Sequence, residues 1–151
     1  MNKPPALNRI HILDRHTANQ IAAGEVVERP FSVVKELVEN AIDAGATMIS
    51  VAIADAGLEK IQVSDNGCGM SAEEMRLAVL RHATSKINNI SDLDSLSTLG
   101  FRGEALPSIA AVSYLTIISK QTGEQHGYSM TVRAGQAIMP TEAAAKTGTT
   151  V

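Results

Sequence analysis

Apolar positions first recur at helical spacing after Pro30, a residue suited to a first helical turn. The periodicity predicts a helix from about Phe31 to Ala44, stopped by Gly45, with Val34, Leu37, Val38 and Ala41 on its buried stripe. Before it, "RIHILD" alternates weakly, as a short strand does. Asp14 or Thr17 is placed to cap a short helix through Ala23, stopped by Gly24. After it, "ATMISVAIA" alternates Met48, Ser50 and Ala52 against Ile49, Val51 and Ile53. "KIQVSD" alternates again, so residues 48–65 predict a hairpin turned by "ADAGLEK". "SAEE" has the form of a capping box, Ser71 with Glu74, opening a helix to near Arg81. A long polar stretch then runs to "GFRGEAL", with one helical turn expected near residues 92–96. A long loop in a compact domain is usually functional or disordered. A further helix is expected from Gly103 to near Ala111. "SYLTIISK" and "YSMTVRA" predict a second hairpin around "QTGEQHG", and a last strand begins at Thr149.

Strands therefore come in adjacent pairs between helices, not as βαβ repeats. That order predicts an α+β fold, a two-layer sandwich of helices on one face of a mixed, mostly antiparallel sheet. No repeat, low-complexity tract or interdomain linker interrupts it. The length of 151 residues suits one domain, expected to bury roughly 68–70% of its unfolded surface. With no Trp, two Tyr and two Phe, its core must be aliphatic. A net charge of −3 with scattered basic residues offers no nucleic-acid footprint. The lone Cys68 cannot build an internal disulfide or a cysteine-based zinc site. No apolar run is long enough to span a bilayer, and the N-terminus lacks a signal-peptide core, so a reducing, soluble compartment is expected.

Three stretches carry candidate chemistry. On the first predicted helix, Glu36, Asn40 and Asp43 fall within roughly 60° of one another at about 100° per residue. A solvated polar face is one reading. Asn is a mediocre helix former, however, and its oxygen is a hard neutral ligand suited to Mg²⁺. A Glu one turn earlier is placed to orient and deprotonate a water. "DNGCGM" ends a strand and precedes a helix. It is strong turn chemistry, but Asp65 is also placed to accept from an exocyclic amine, and Gly67 and Gly69 would let the backbone lie against a flat ring. In "TLGFRGEAL", Gly100 and Gly103 flank Arg102 before a helix start, an arrangement that suits anions. "ATSK" in the same loop adds two hydroxyls and a cation. The four His residues show no ligand spacing and read as structural or surface groups. Neither G-x-x-x-x-G-K-[ST] nor G-x-G-x-x-G occurs.

"ENAIDAGA", "DNGCGM", "GFRGEAL" and "GTTV", in this order, resemble the four motifs of the GHKL ATPase superfamily. "NQIAAGEVVERPFSVVKELVENAIDAGAT", "RHATSKI" and "LGFRGEALPSIAAVS" resemble its MutL mismatch-repair branch. The resemblance implies the Bergerat fold, with ATP and Mg²⁺ as cofactors. It implies Glu36 as general base, Asn40 as Mg²⁺ ligand and Asp65 as adenine anchor. Gly67, Gly69 and Met70 would shape the pocket, and Thr149 would help through a water. Thr84, Ser85 and Lys86, with Gly100, Phe101, Arg102, Gly103, Glu104, Ala105 and Leu106, would form a lid over the phosphates. It further implies a lid ordered by Mg-ATP, ATP-dependent homodimerisation through an arm at residues 1–20, and a MutS-type partner. DNA would be contacted mostly outside these residues, and work at the nucleoid in a bacterial cytoplasm is expected. Residues 1–151 would be an incomplete N-terminal ATPase domain, cut just inside the fourth motif, so the isolated piece is expected to hydrolyse ATP weakly or not at all. The alternatives are a gyrase-like or chaperone ATPase of the same superfamily, or a non-catalytic dimerisation module.

Overall fold

The computed structural model describes residues 12–14, 17, 29–80, 105–133 and 135–151. Helix α1 spans Pro30–Asp43, with Pro30 in its first turn as its fixed φ favours. It ends in a left-handed glycine cap: Gly45 has φ +77°. The Gly45 N–H donates to the Ile42 carbonyl at 2.9 Å and the Ala46 N–H to the Ala41 carbonyl at 3.1 Å, so two of the last carbonyls are satisfied. Leu37 and Ala41 are buried. Val33 and Val38 pack on the core, whereas Val34 is half-buried away from it, so the stripe is turned slightly from its expected position. The i, i+4, i+8 line through Val33, Leu37 and Ala41 faces the sheet.

Strands β1 (Ile49–Ala54) and β2 (Lys60–Asp65) form the expected hairpin, Ile49 opposite Asp65 and Ala54 opposite Lys60. A 3₁₀ turn over Asp55–Gly57 joins them. Helix α2 (Ala72–Ala78) opens on the expected capping box: the Glu74 N–H donates to Ser71 Oγ at 3.1 Å and the Ser71 N–H to Glu74 Oε2 at 2.8 Å. It ends before the expected limit near Arg81. Helix α3 (Ala105–Val112) leads into β3 (Tyr114–Lys120), which pairs with β4 (Gly127–Arg133) as the second hairpin. Two short strands were not anticipated, β5 (Gln136–Ala137) and β6 (Thr141–Ala143). Both pair with β4, one after the other along it. They are short and mostly exposed, so no burial pattern marks them. Strand β7 (Gly148–Thr150) closes the chain.

The sheet order is β1-β2-β7-β3-β4-β5, with β6 also on β4, and every pairing among the described strands is antiparallel. The last strand therefore inserts between the two hairpins. Val63 and Val151 exchange both backbone hydrogen bonds at 2.9 Å across this junction. The three described helices and the sheet enclose Leu37, Val63, Met75, Ile109, Ala110, Leu115, Ile117, Met130 and Val132. The core is aliphatic, as expected, and each fully buried large side chain contributes about 1.5–3 kcal/mol. Strand β1 departs from its sequence pattern: Val51 and Ile53 are 44% and 53% exposed despite regular alternation. It is an edge strand, and the helices cover the centre of the sheet.

In the N-terminal stretch, Ile12, Leu13 and Asp14 are not in a strand, in contrast to the "RIHILD" expectation. Asp14 is the capping residue of the two candidates. It accepts the Thr17 N–H at 3.0 Å and the Thr17 hydroxyl at 2.5 Å. The rest of that helix, the turn near residues 92–96 and the start at Gly103 lie outside the described residues.

Candidate functional site

The inner face of the sheet carries a polar row where β2, β7 and β3 run side by side. Asp65 ends β2, Thr149 lies on β7, and Ser119 is the Cα partner of Thr149 on β3. Asp65 is half-buried. Its Oδ1 accepts the Gly67 N–H at 2.8 Å and the Thr149 N–H at 3.3 Å. Among the described residues one carboxylate oxygen, Oδ1, is held and no group donates to Oδ2. A half-buried acceptor of this kind needs a donor from water or a ligand.

The "DNGCGM" loop is fastened on both sides. Asn66 Oδ1 accepts the Thr47 and Met48 N–H groups at 2.8 and 2.9 Å, and its Nδ2 donates to Thr47 Oγ1 at 2.9 Å. The Cys68 N–H donates to the Ala44 carbonyl at 3.0 Å, and the Thr122 N–H to the Cys68 carbonyl at 3.2 Å. The loop thus bridges the end of α1 to the end of β3. A Cβ at Gly67 would stand 2.8 Å from the Ala44 Cβ and 3.0 Å from Asp65 Oδ1. Gly69 has φ +72°, and a Cβ there would run into the Lys120 carbonyl. Both glycines are required by close backbone approach. The Cys68 thiol is exposed and unbridged.

On α1, Glu36, Asn40 and Asp43 are all half-buried, while Phe31 and Ile42 are 71% and 49% exposed. A solvated polar face would show the reverse. Among the described residues the Glu36 carboxylate makes no hydrogen bond or ion pair, whereas its neighbours Lys35 and Glu39 pair with each other at 3.8 Å. No group of three His, Cys, Asp or Glu able to hold a metal occurs among the described residues. A cation at Asn40 would therefore need most of its ligands from water and a bound anion, the habit of Mg²⁺.

The structure thus joins α1, Asp65, Gly67, Gly69 and Thr149 around one loop. Met70 is half-buried against the core, and its N–H donates to Ser119 Oγ at 2.8 Å. A groove of about 710 Å³ lies beyond it, between α2 and the β3–β4 turn; Met70 alone of the expected nucleotide contacts lines it. With Arg76, Glu73, Glu124 and His126 on its walls it is a mixed polar surface away from Asp65. Leu106 packs on the core and Ala105 is half-buried in the first turn of α3. Thr84, Ser85, Lys86, Gly100, Phe101, Arg102, Gly103 and Glu104 lie outside the described residues. Sequence reasoning missed Ser119 and the bracing by Asn66. The signal for Ser119 was present: it occupies the inward position that Leu115 and Ile117 occupy earlier on β3.

Residues 28–147 match the family described as histidine kinase-, DNA gyrase B- and HSP90-like ATPase. With that match over most of its length, helices on an antiparallel sheet and the motif loop at the strand end, the chain belongs to this ATPase family. Within the family its similarity is to MutL. It is 58% identical over 137 residues to the DNA mismatch repair protein MutL of Desulforamulus reducens, covering 89% of this chain and 21% of that protein. It is 54% identical over 145 residues to MutL of Streptococcus pneumoniae, covering 96% of this chain and 22% of that protein. The chain thus spans about a fifth of the length of these relatives. Among solved structures, the N-terminal domain of a DNA repair protein superposes with a TM-score of 0.71 at 34% identity, over 88% of this chain and 37% of that one. The Aquifex aeolicus MutL ATPase domain complexed with ADP superposes with a TM-score of 0.57 at 31% identity, over 83% of this chain and 41% of that one.

Proposed function

We infer that this chain is the ATP-binding region of a MutL-type mismatch-repair ATPase. The observation that carries the reading is the Asp65 carboxylate, with Oδ1 tied to Gly67 and Thr149 and Oδ2 uncommitted among the described residues. Asp65 receives the amino group of adenine, and Gly67 and Gly69 let the base approach the backbone. Thr149 assists through a water, and Met70 holds the loop against β3. Asn40 holds Mg²⁺, which neutralises phosphate charge when bound. Glu36 orients the attacking water and takes its proton. Phosphoryl transfer asks the protein mainly for positioning and charge stabilisation. Thr84, Ser85, Lys86 and the segment from Gly100 to Leu106 close over the phosphates as a lid.

Ordering of that lid on Mg-ATP is the switch that drives homodimerisation of the intact protein. MutS-type recognition proteins and DNA are its partners in the cytoplasm, with DNA contacted mostly beyond residues 1–151. No helix of the described residues is long and apolar enough to cross a membrane. The half-buried Glu36 and Asn40 favour this reading over a non-catalytic dimerisation module, which has no use for them. The MutL relatives favour it over a gyrase-like or chaperone ATPase.

The test is titration of the chain with a fluorescent, non-hydrolysable ATP analogue in Mg²⁺ or in EDTA. Saturable binding that weakens at least tenfold in Asp65→Asn, and that weakens in EDTA for the wild type but not for Asn40→Ala, is expected. Equal binding by wild type and Asp65→Asn would overturn the assignment.

A further inference from the structure

Ser119 is fully buried on β3, in a position where the strand pattern calls for an apolar side chain. Its hydroxyl has three neighbours. The Met70 N–H donates to it at 2.8 Å. The Gly148 carbonyl lies 3.1 Å away and the Thr149 hydroxyl 2.7 Å away. A hydroxyl has one hydrogen to give. A carbonyl can only accept, so all three contacts are made together only when the Ser119 hydrogen goes to Gly148. The short contact to Thr149 is then made with the Thr149 hydrogen, and Ser119 accepts it.

Thr149 Oγ1, its hydrogen spent on Ser119, presents lone pairs alone. Asp65 Oδ2, as a carboxylate oxygen, also only accepts. Beside the adenine anchor the two side chains therefore offer acceptors and no donor, and a water bridging them gives both its hydrogens to them and turns a lone pair to the base. A base with an amino group meets it well; a base with a keto oxygen at the same position meets lone pairs with lone pairs. Desolvated mismatches of this kind discriminate strongly, because the buried polar groups are left unpaired.

We propose that Ser119 is a specificity-determining positioning residue: it fixes the Thr149 hydroxyl as an acceptor and so makes the Asp65–Thr149 pair select a 6-amino purine over a 6-oxo purine. This rests on the nucleotide-binding reading above. Ser119 acts through Thr149 and touches no ligand itself. Without it, the Thr149 hydroxyl is free to turn and donate, and the Asp65–Thr149 pair loses its single polarity.

The experiment measures dissociation constants of the Mg²⁺ complexes of the β,γ-imido analogues of ATP and ITP. Wild type, Ser119→Ala, Thr149→Val and the double variant are compared, with Asp65→Asn as the reference for the base site. Wild type is expected to prefer the adenine analogue. Ser119→Ala should narrow the ITP-to-ATP ratio by about fivefold to tenfold, the worth of one neutral hydrogen bond. In the Thr149→Val background the same change should leave the ratio unmoved, because there is no hydroxyl left to redirect. A purely structural role would weaken both ligands equally and leave the ratio alone, which overturns the proposal. A narrowing that persists in Thr149→Val overturns it too. Ser119→Cys, close in size and a weaker acceptor, carries the same comparison if the alanine variant does not fold. Asp65→Asn separates the two levels. Loss of adenine binding there with an unmoved Ser119→Ala ratio refutes the positioning role alone. Indifference to Asp65→Asn, or no binding of either analogue by wild type, refutes the nucleotide reading and the proposal with it.

Discussion

Two glycines with nearly the same backbone angle should respond very differently to a methyl group. Gly45 has φ +77° with nothing within 4 Å of a would-be Cβ, whereas Gly69, at φ +72°, would drive its Cβ into the Lys120 carbonyl. Gly45→Ala therefore costs only the left-handed strain of an L-residue, about 1–2 kcal/mol. Gly69→Ala adds an overpacking term of about 1–3 kcal/mol, for about 2–5 kcal/mol in all. Relief requires the loop to lift from β3. That breaks the Cys68–Thr122 backbone bond of 3.2 Å and the Met70–Ser119 bond of 2.8 Å. Urea unfolding is the assay. With a slope of about 2 kcal/mol per molar, Gly45→Ala should lower the midpoint by about 0.5–1 M and Gly69→Ala by about 1–2.5 M. Adenine-nucleotide affinity should fall in Gly69→Ala and hold in Gly45→Ala. Equal midpoint shifts would refute the reasoning, since they would mean that the loop does not lie against the end of β3.

Asn66→Ala, which removes three hydrogen bonds to Thr47 and Met48, should cost about 1–2 kcal/mol in urea, while Asn66→Asp, keeping both acceptor bonds, should cost less; equal losses would contradict the brace. Ser108 is fully buried, and its hydroxyl lacks a hydrogen-bond partner among the described residues. Ser108→Ala should therefore be neutral or stabilising by up to about 1 kcal/mol, and a clear loss of stability would show a hidden partner. In the intact protein, Glu36→Ala should lower single-turnover hydrolysis by about 10²–10⁴ while nucleotide affinity holds. Unchanged hydrolysis would remove Glu36 as the base.

Local chemistry made much of this molecule readable before its coordinates. Pro30 and Gly45 bracket α1 because one fixes φ and the other accepts a left-handed one. Ser71 and Glu74 mark the start of α2 because each satisfies the other's backbone N–H. The Ile49–Ala54 and Lys60–Asp65 hairpin follows from alternation and a turn. What failed was non-local. Nothing in "GTTV" tells that β7 inserts between β2 and β3, because the partners lie far away in sequence. Alternation in β1 marks the strand but not its burial, since an edge strand keeps its pleat without a covering layer. Strands β5 and β6 are too short to show a period. Of the site, Glu36, Asn40, Asp65, Gly67 and Gly69 were named from residue type and spacing. The role of Ser119 needed three strands in register to become visible.

The most direct test of the account is thermal unfolding of this chain with and without Mg²⁺ and a non-hydrolysable ATP analogue, beside Asp65→Asn. A ligand that binds only the folded state adds about 2.7 kcal/mol at a hundredfold excess over its dissociation constant. For a chain of this size that is a rise of about 5–10 °C. The account predicts this rise in the wild type and its loss in Asp65→Asn, with both proteins unfolding cooperatively without ligand. A rise of equal size in both, or none in the wild type at saturating analogue, would contradict the claim that Asp65 anchors an adenine nucleotide.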